Sequence, residues 1–124
     1  MNSVKRFEDL QVWKESIELS ITIYQNTLSE KLNKDFVLRE QIRKSAISIP
    51  SNIADGFERD SKNQFIYFLQ IAKGSSGELR TQLKIAESLR YITLEQYNLL
   101  NEKCLSISKQ LSGFINYLKK YQSK

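Results

Sequence analysis

The sequence predicts an all-α chain, folded as an antiparallel up-and-down four-helix bundle in a single domain over 1–124. Three observations predict it. Apolar residues recur at steps of three and four along four long segments, the period of one helical face. Two segments open with Ser or Thr followed three residues later by Gln, the pattern of a capping box. Four glycines and one proline in 124 residues leave little material for the turns of a β fold. The helices are expected at about 8–29, 36–57, 62–90 and 94–120.

The first helix carries Leu10, Trp13, Ile17, Ile21, Tyr24 and Leu28 along one face. A second apolar stripe, Val12, Leu19 and Ile23, lies beside it. A helix that covers one partner surface seldom carries two stripes. The second helix carries Leu38, Ile42, Ala46, Ile49, Ile53 and Phe57, with Asp35 as N-cap and Gly56 at the C-cap. Pro50 falls inside it. An interior proline removes one backbone hydrogen bond and crowds the carbonyl four residues back, so a kink is expected there. The apolar period continues in phase across it, so no break is expected.

The third helix opens on Ser61-Lys62-Asn63-Gln64 and carries Phe65, Phe68, Leu69, Ala72, Ser76, Leu79, Leu83, Ala86 and Leu89. Gly74-Ser75-Ser76-Gly77 in its middle is a poor helix former, and a turn there is the alternative. One face persists through these residues, which favours a single helix that a neighbour can approach closely. The fourth helix opens on Thr93-Leu94-Glu95-Gln96 and carries Tyr97, Leu100, Cys104, Ile107, Leu111, Phe114, Leu118 and Tyr121 in a heptad-like seam.

Composition narrows the chemistry. The chain has no histidine, which removes the usual general base, proton shuttle and metal ligand. A di-iron site of the Glu-x-x-His kind is therefore impossible. The single cysteine, Cys104, allows no internal disulfide and sits on the apolar seam, where it reads as a small buried hydrophobe in a cytoplasmic protein. No phosphate-binding loop, dinucleotide fingerprint or nucleophile elbow is present. The polar start of the chain reads as no signal peptide, and no apolar stretch is long enough to span a bilayer. The expectation is a protein that is not an enzyme and uses no cofactor or metal.

The net charge is +5, from 19 basic and 14 acidic residues. After Glu102 there is no acid, only Lys103, Lys109, Lys119, Lys120 and Lys124. These cations can be a solvated helix end that complements the macrodipole. The alternative reading is a phosphate-contacting patch. Tyr117 and Tyr121 flank Lys119 and Lys120, and stacking aromatics among cations suit single-stranded nucleic acid. The candidate contacts are Lys109, Lys119, Lys120, Tyr121 and Lys124. A second group of polar residues lies on the middle helices: Arg43, Ser48, Asn52, Asp55, Glu78 and Gln82. It can be a binding surface, or a hydrogen-bonded network around Pro50 that holds the second helix to the third, for example Arg43 with Glu78. Trp13, Phe7, Phe65, Phe68 and Phe114 fit the apolar stripes and are expected in the core.

Three segments carry a family likeness: Phe7-Glu8-Asp9-Leu10-Gln11-Val12-Trp13, then Gln41-Ile42-Arg43-Lys44-Ser45-Ala46-Ile47-Ser48-Ile49-Pro50-Ser51-Asn52-Ile53-Ala54-Asp55-Gly56, then Phe68-Leu69-Gln70-Ile71-Ala72-Lys73-Gly74-Ser75-Ser76-Gly77-Glu78-Leu79. From about Phe7 to Leu118 the chain resembles the bacterial four-helix-bundle proteins encoded in 23S ribosomal RNA intervening sequences. Its most specific part is Ser-Ile-Pro-x-Asn-Ile-Ala-acid-Gly, where Asp55 stands at a position the family more often fills with Glu. More distantly it resembles the pentameric accessory proteins of diversity-generating retroelements, which work with a reverse transcriptase and bind nucleic acid. The resemblance implies a bundle that assembles as a ring-like homopentamer, and it supplies no catalytic residue. The partners it points to are further copies of the chain, RNA or DNA with RNA favoured, or a protein that docks on the pentamer; no membrane partner is expected.

Overall fold

The computed structural model describes residues 4–121. Among them all regular structure is helical. A single 3-10 turn, Phe7–Asp9, precedes five α-helices: α1 (Gln11–Asn26), α2 (Glu30–Lys34), α3 (Phe36–Phe57), α4 (Lys62–Ser88) and α5 (Leu94–Lys120). None is long and apolar enough to cross a membrane. They pack as a helical bundle. α4 lies against both α3 and α5, while α1 packs on α3 and α5. Along α3 the chain meets α4 in reverse order: Ser48 faces Ser75, and Gly56 faces Phe65 and Phe68. The same reversal joins α4 to α5, from Phe65–Phe114 to Arg80–Asn101.

The helix starts obey local chemistry. The Asp35 carboxylate accepts from the Leu38 N–H at 3.1 Å and caps α3. Its other oxygen accepts from the Tyr91 hydroxyl at 3.0 Å, which ties the α3 start to the α4–α5 connection. Thr93 and Gln96 form a complete capping box on α5. At Ser61 only half of the box is made: its hydroxyl accepts from the Gln64 N–H. α4 runs unbroken through Gly74-Ser75-Ser76-Gly77, and α3 runs unbroken through Pro50. α4 ends in a Schellman arrangement: the Arg90 N–H reaches the Glu87 carbonyl, and the Tyr91 N–H reaches the Ala86 carbonyl. Arg90 takes the left-handed conformation that this motif needs, with φ 63°.

Three expectations are corrected. The expected first helix is interrupted near its start, where Leu10 is extended between the 3-10 turn and α1, and the expected break before α3 holds a further short helix, α2, anchored by buried Leu32. The roles of the two stripes on α1 are exchanged. Val12, Leu19 and Ile23, with Ser16, face the core, while Ile21 is 55% and Leu28 65% exposed. The reason lies at the contact with α3, which small residues make possible. Ser16 and Thr27 are buried, and the Ser20 hydroxyl donates to the Ala46 carbonyl at 3.1 Å. Gly56 is no C-cap. It lies inside α3, buried, where a Cβ would stand 2.7 Å from Phe68 Cβ. It lets α3 and α4 meet.

The core is one cluster of isoleucine, leucine and alanine from all the long helices. One end is closed by edge-to-face and tilted aromatic contacts running Trp13–Phe7–Phe57–Phe65–Phe114. Cys104 is fully buried, and burial pushes its thiol up to about 12, with Arg80 and the Ser76 hydroxyl pulling partly back.

Candidate nucleic-acid interface

The polar residues of α3 and α4 divide into two groups. Ser48, Asn52 and Ser75 form a real network. The Ser48 and Ser75 hydroxyls lie 2.8 Å apart, and Asn52 Nδ2 donates to the Ser48 carbonyl at 2.8 Å and hydroxyl at 2.9 Å. The adjacent Ser76 turns the other way: its hydroxyl donates to the Cys104 carbonyl and accepts from Ser108. The two serines between the glycines thus fasten α4 to α3 on one side and to α5 on the other. Buried hydroxyls that are paired in this way carry no desolvation debt.

The remaining members do not join that network. Arg43 does not meet Glu78. Its Nε donates to the buried Thr27 hydroxyl at 2.8 Å, and its guanidinium lies 4.5 Å from the Tyr24 ring centroid. Tyr24 is on α1 and Thr27 is its C-cap residue. Glu78 is exposed on the outer face of α4, with no hydrogen bond or ion pair among the described residues. The register explains it, because Arg43 lies on the side of α3 that meets α1. Asp55 is exposed and pairs with Arg59 one turn on, at 3.0 Å. Arg59 in turn lies over the Phe68 ring. Gln82 is half-buried, and its Oε1 is shut from solvent without a partner among the described residues.

The cationic candidates lie on the outer surface of α5. Lys109 and Lys119 are exposed, and neither makes an ion pair or hydrogen bond among the described residues. Lys120 stands 5.7 Å from the ring centroid of Tyr121, which is 56% exposed. The Tyr121 ring also packs on Tyr117 at 4.8 Å between centroids, and its carbonyl accepts from Lys62 Nζ. Lys124 lies outside the described residues.

Two surface grooves flank α5, and their charges differ. The groove between α5 and α4 is lined by Gln70, Lys73, Gly74, Ser112, Ile115, Asn116 and Lys119, with no carboxylate. The groove between α5 and α1 is lined by Glu15, Glu18, Glu102 and Lys103 among apolar residues, so acids outnumber bases there. Sequence reading found Lys119 but missed Lys73, Gln70 and Asn116. The available signal was their helical spacing: Gln70 and Lys73 are three apart, as are Asn116 and Lys119. Among the described residues no three Cys, Asp or Glu side chains cluster closely enough to hold a metal ion.

Comparison with known proteins adds the following. The sequence profile of the 23S rRNA-intervening sequence protein family matches residues 8–113. A crystal structure of a protein of unknown function from the S23 ribosomal protein family of Bacteroides thetaiotaomicron is similar, with a TM-score of 0.78 and 33% identity. The match covers 84% of this chain and 97% of that one. No curated protein matches.

Proposed function

The chain belongs to the 23S rRNA-intervening sequence protein family, and from that premise we propose that it is a non-catalytic nucleic-acid-binding protein of the cytoplasm, with RNA as its preferred ligand. The observation that carries this reading is the outer face of α5. Lys109, Lys119 and Lys120 stand exposed there with no carboxylate partner, beside the exposed ring of Tyr121. Cations held away from acids attract a polyanion through counterion release, and an exposed aromatic offers a base a stacking surface. The test is fluorescence anisotropy with labelled single-stranded RNA, duplex RNA and duplex DNA at low and physiological salt. Binding that weakens steeply with salt and favours RNA is expected. No binding at low salt overturns the reading.

The assembled form belongs to the same proposal. α1, α3, α4 and α5 form an antiparallel up-and-down bundle, and five such bundles make a ring. Support for self-association comes from the outer side of α1, where Ile21, Tyr24 and Leu28 remain exposed next to an apolar groove lined by Trp13, Ile17, Ile47 and Pro50. Sedimentation velocity on the full chain should give a species of five protomers, and Ile21→Glu should dissociate it. A monomer at micromolar concentration refutes this part.

The second reading is an adaptor for a protein partner. It is favoured by a specific feature, the start of α3, where Phe36 is 64% and Val37 72% exposed. Pull-downs that return only the chain itself would count against it.

A further inference from the structure

We propose that the α4–α5 groove is the seat of a single nucleic-acid strand, with its phosphates held between Lys73 and Lys119 and its bases turned toward Tyr121. This inference deepens the nucleic-acid reading and rests on it. It adds the α4 wall of the site, and it names the form of the ligand as single-stranded RNA.

The electrostatics select this groove over its neighbour. α5 presents a basic groove on one side and an acid-rich groove on the other. A polyanion is drawn to the first and repelled by the second. Lys73 and Lys119 line the groove from its two helices, and neither is engaged in an ion pair or hydrogen bond among the described residues. Their positive charge is therefore uncompensated. Each phosphate that meets such a cation releases condensed counterions.

The polar lining suits a sugar–phosphate backbone. Gln70, Ser112 and Asn116 line the same groove and make no hydrogen bond within the chain among the described residues. Amide and hydroxyl groups both donate and accept. Donors serve phosphate oxygens, and a group that does both serves a ribose 2′-hydroxyl, which marks RNA from DNA.

Gly74 supplies the floor. A Cβ at Gly74 would meet nothing within 4 Å, as at Gly77 and Gly113, so packing inside the chain gives no reason for a glycine there; of the three, only Gly74 lines this groove. A glycine in a helix interior weakens the helix. Gly56, by contrast, is required by the approach of α4. A bare backbone at Gly74 leaves room for a body from outside to come close.

Tyr121 fixes the single-stranded form. Its ring is exposed, two residues beyond Lys119 and backed by Tyr117. A base can stack on it only if it is not paired within a duplex. A groove between two helices of one bundle also admits one strand's backbone more readily than a duplex.

The test uses four variants of the full chain, one of them Tyr121→Ala, which removes the stacking ring. Lys73→Gln with Lys119→Gln removes the groove cations. Lys14→Gln with Lys103→Gln removes the same total charge elsewhere. Gly74→Leu fills the groove without changing charge, and the open space there allows it to fold. Circular dichroism checks that each is helical. The probes are a labelled single-stranded RNA, the single-stranded DNA of the same sequence and the duplex RNA. For single-stranded RNA, the groove pair should lose about tenfold or more in affinity at low salt, and its salt slope should flatten by roughly 1.4, at about 0.7 per phosphate contact for single strands. Gly74→Leu should lose affinity with an unchanged fold, and Tyr121→Ala should weaken binding with the slope unchanged. Lys14→Gln with Lys103→Gln should bind within about twofold of the parent. If both lysine pairs fall equally, or Gly74→Leu binds like the parent, the groove is not the site, although the nucleic-acid reading survives. Equal affinity for the duplex overturns the single-stranded assignment. If the parent chain binds nothing at low salt, both readings fall together.

Discussion

Pro50 leaves one carbonyl of α3 without its helical donor, and a hydroxyl from α1 takes the place. The residue four before Pro50 is Ala46. Its carbonyl would normally accept from the N–H at position 50, which proline lacks. The Ser20 hydroxyl donates to it at 3.1 Å while also lying 2.9 Å from the Ser16 carbonyl, so one proton is shared between two acceptors. Ala46 is fully buried, so bulk water cannot supply the missing donor. A buried carbonyl left unsatisfied costs about 1–3 kcal/mol. Because the proton is shared, Ser20→Ala should cost about 1–2 kcal/mol in the parent chain. In the Pro50→Ala background the restored N–H reaches Ala46, and the same change should cost only roughly a few tenths of a kcal/mol. The coupling in this double-mutant cycle is therefore about 1–1.5 kcal/mol, well above the error expected for independent sites. Whatever Pro50→Ala does alone, through lost ring packing and gained helix propensity, cancels in the cycle. The assay is urea unfolding followed by circular dichroism, with every variant held at the same protomer concentration so that concentration-dependent effects on apparent stability are equal. Equal cost of Ser20→Ala in the two backgrounds would refute the reasoning, since Ser20 would then act independently of the proline.

The other predictions concern single positions. Gly56→Ala should destabilise the chain by about 1–2 kcal/mol, because its Cβ would stand 2.7 Å from Phe68 Cβ and overpacking outweighs the gain in helix propensity; a raised melting temperature would contradict it. Arg90→Gly should stabilise by about 1 kcal/mol, because φ 63° strains any residue with a Cβ; thermal unfolding of the pair of proteins measures it. Cys104, with its thiol raised to about 12, should stay neutral and unreactive toward a maleimide from pH 7 to pH 10 in the folded chain. The sign follows from the shift: the neutral thiol stabilises the fold below the unfolded value, and that contribution is lost only as pH rises toward the folded one. Labelling at the rate of a denatured control would show that the site opens to solvent.

The candidate site was only partly legible. Lys119, Lys120 and Tyr121 stand close together in the chain, and the absence of acid after Glu102 makes their charge visible without any fold. Lys73 carries no such mark. It lies amid ordinary helix surface, and it gains meaning only when α4 and α5 set it across a groove from Lys119. The expected pair of Arg43 and Glu78 failed for a similar reason. Both sit on long helices of known phase, but which neighbour each face meets depends on how three helices are arranged. Arg43 turned to Tyr24 on α1 and to Thr27 at its C-cap.

What the sequence by itself determined is local. The helical period, the Asp35 cap, the Thr93–Gln96 box and the continuity of α4 through its glycines each depend on residues within one or two turns, where side chain and backbone meet whatever lies beyond. Burial of Cys104 was legible too, since it sits in phase with an unbroken apolar seam. The tertiary structure decided which of two apolar stripes on α1 would be buried. Both have helical spacing, and hydrophobicity alone would favour the longer one. The choice went to the stripe whose small polar residues, Ser16, Ser20 and Thr27, let α1 lie close to α3 and meet its unpaired groups. Gly56 changed meaning in the same way, from a helix end to a point of contact. Close approach and hydrogen-bond completion are properties of pairs of helices, and no single segment contains them.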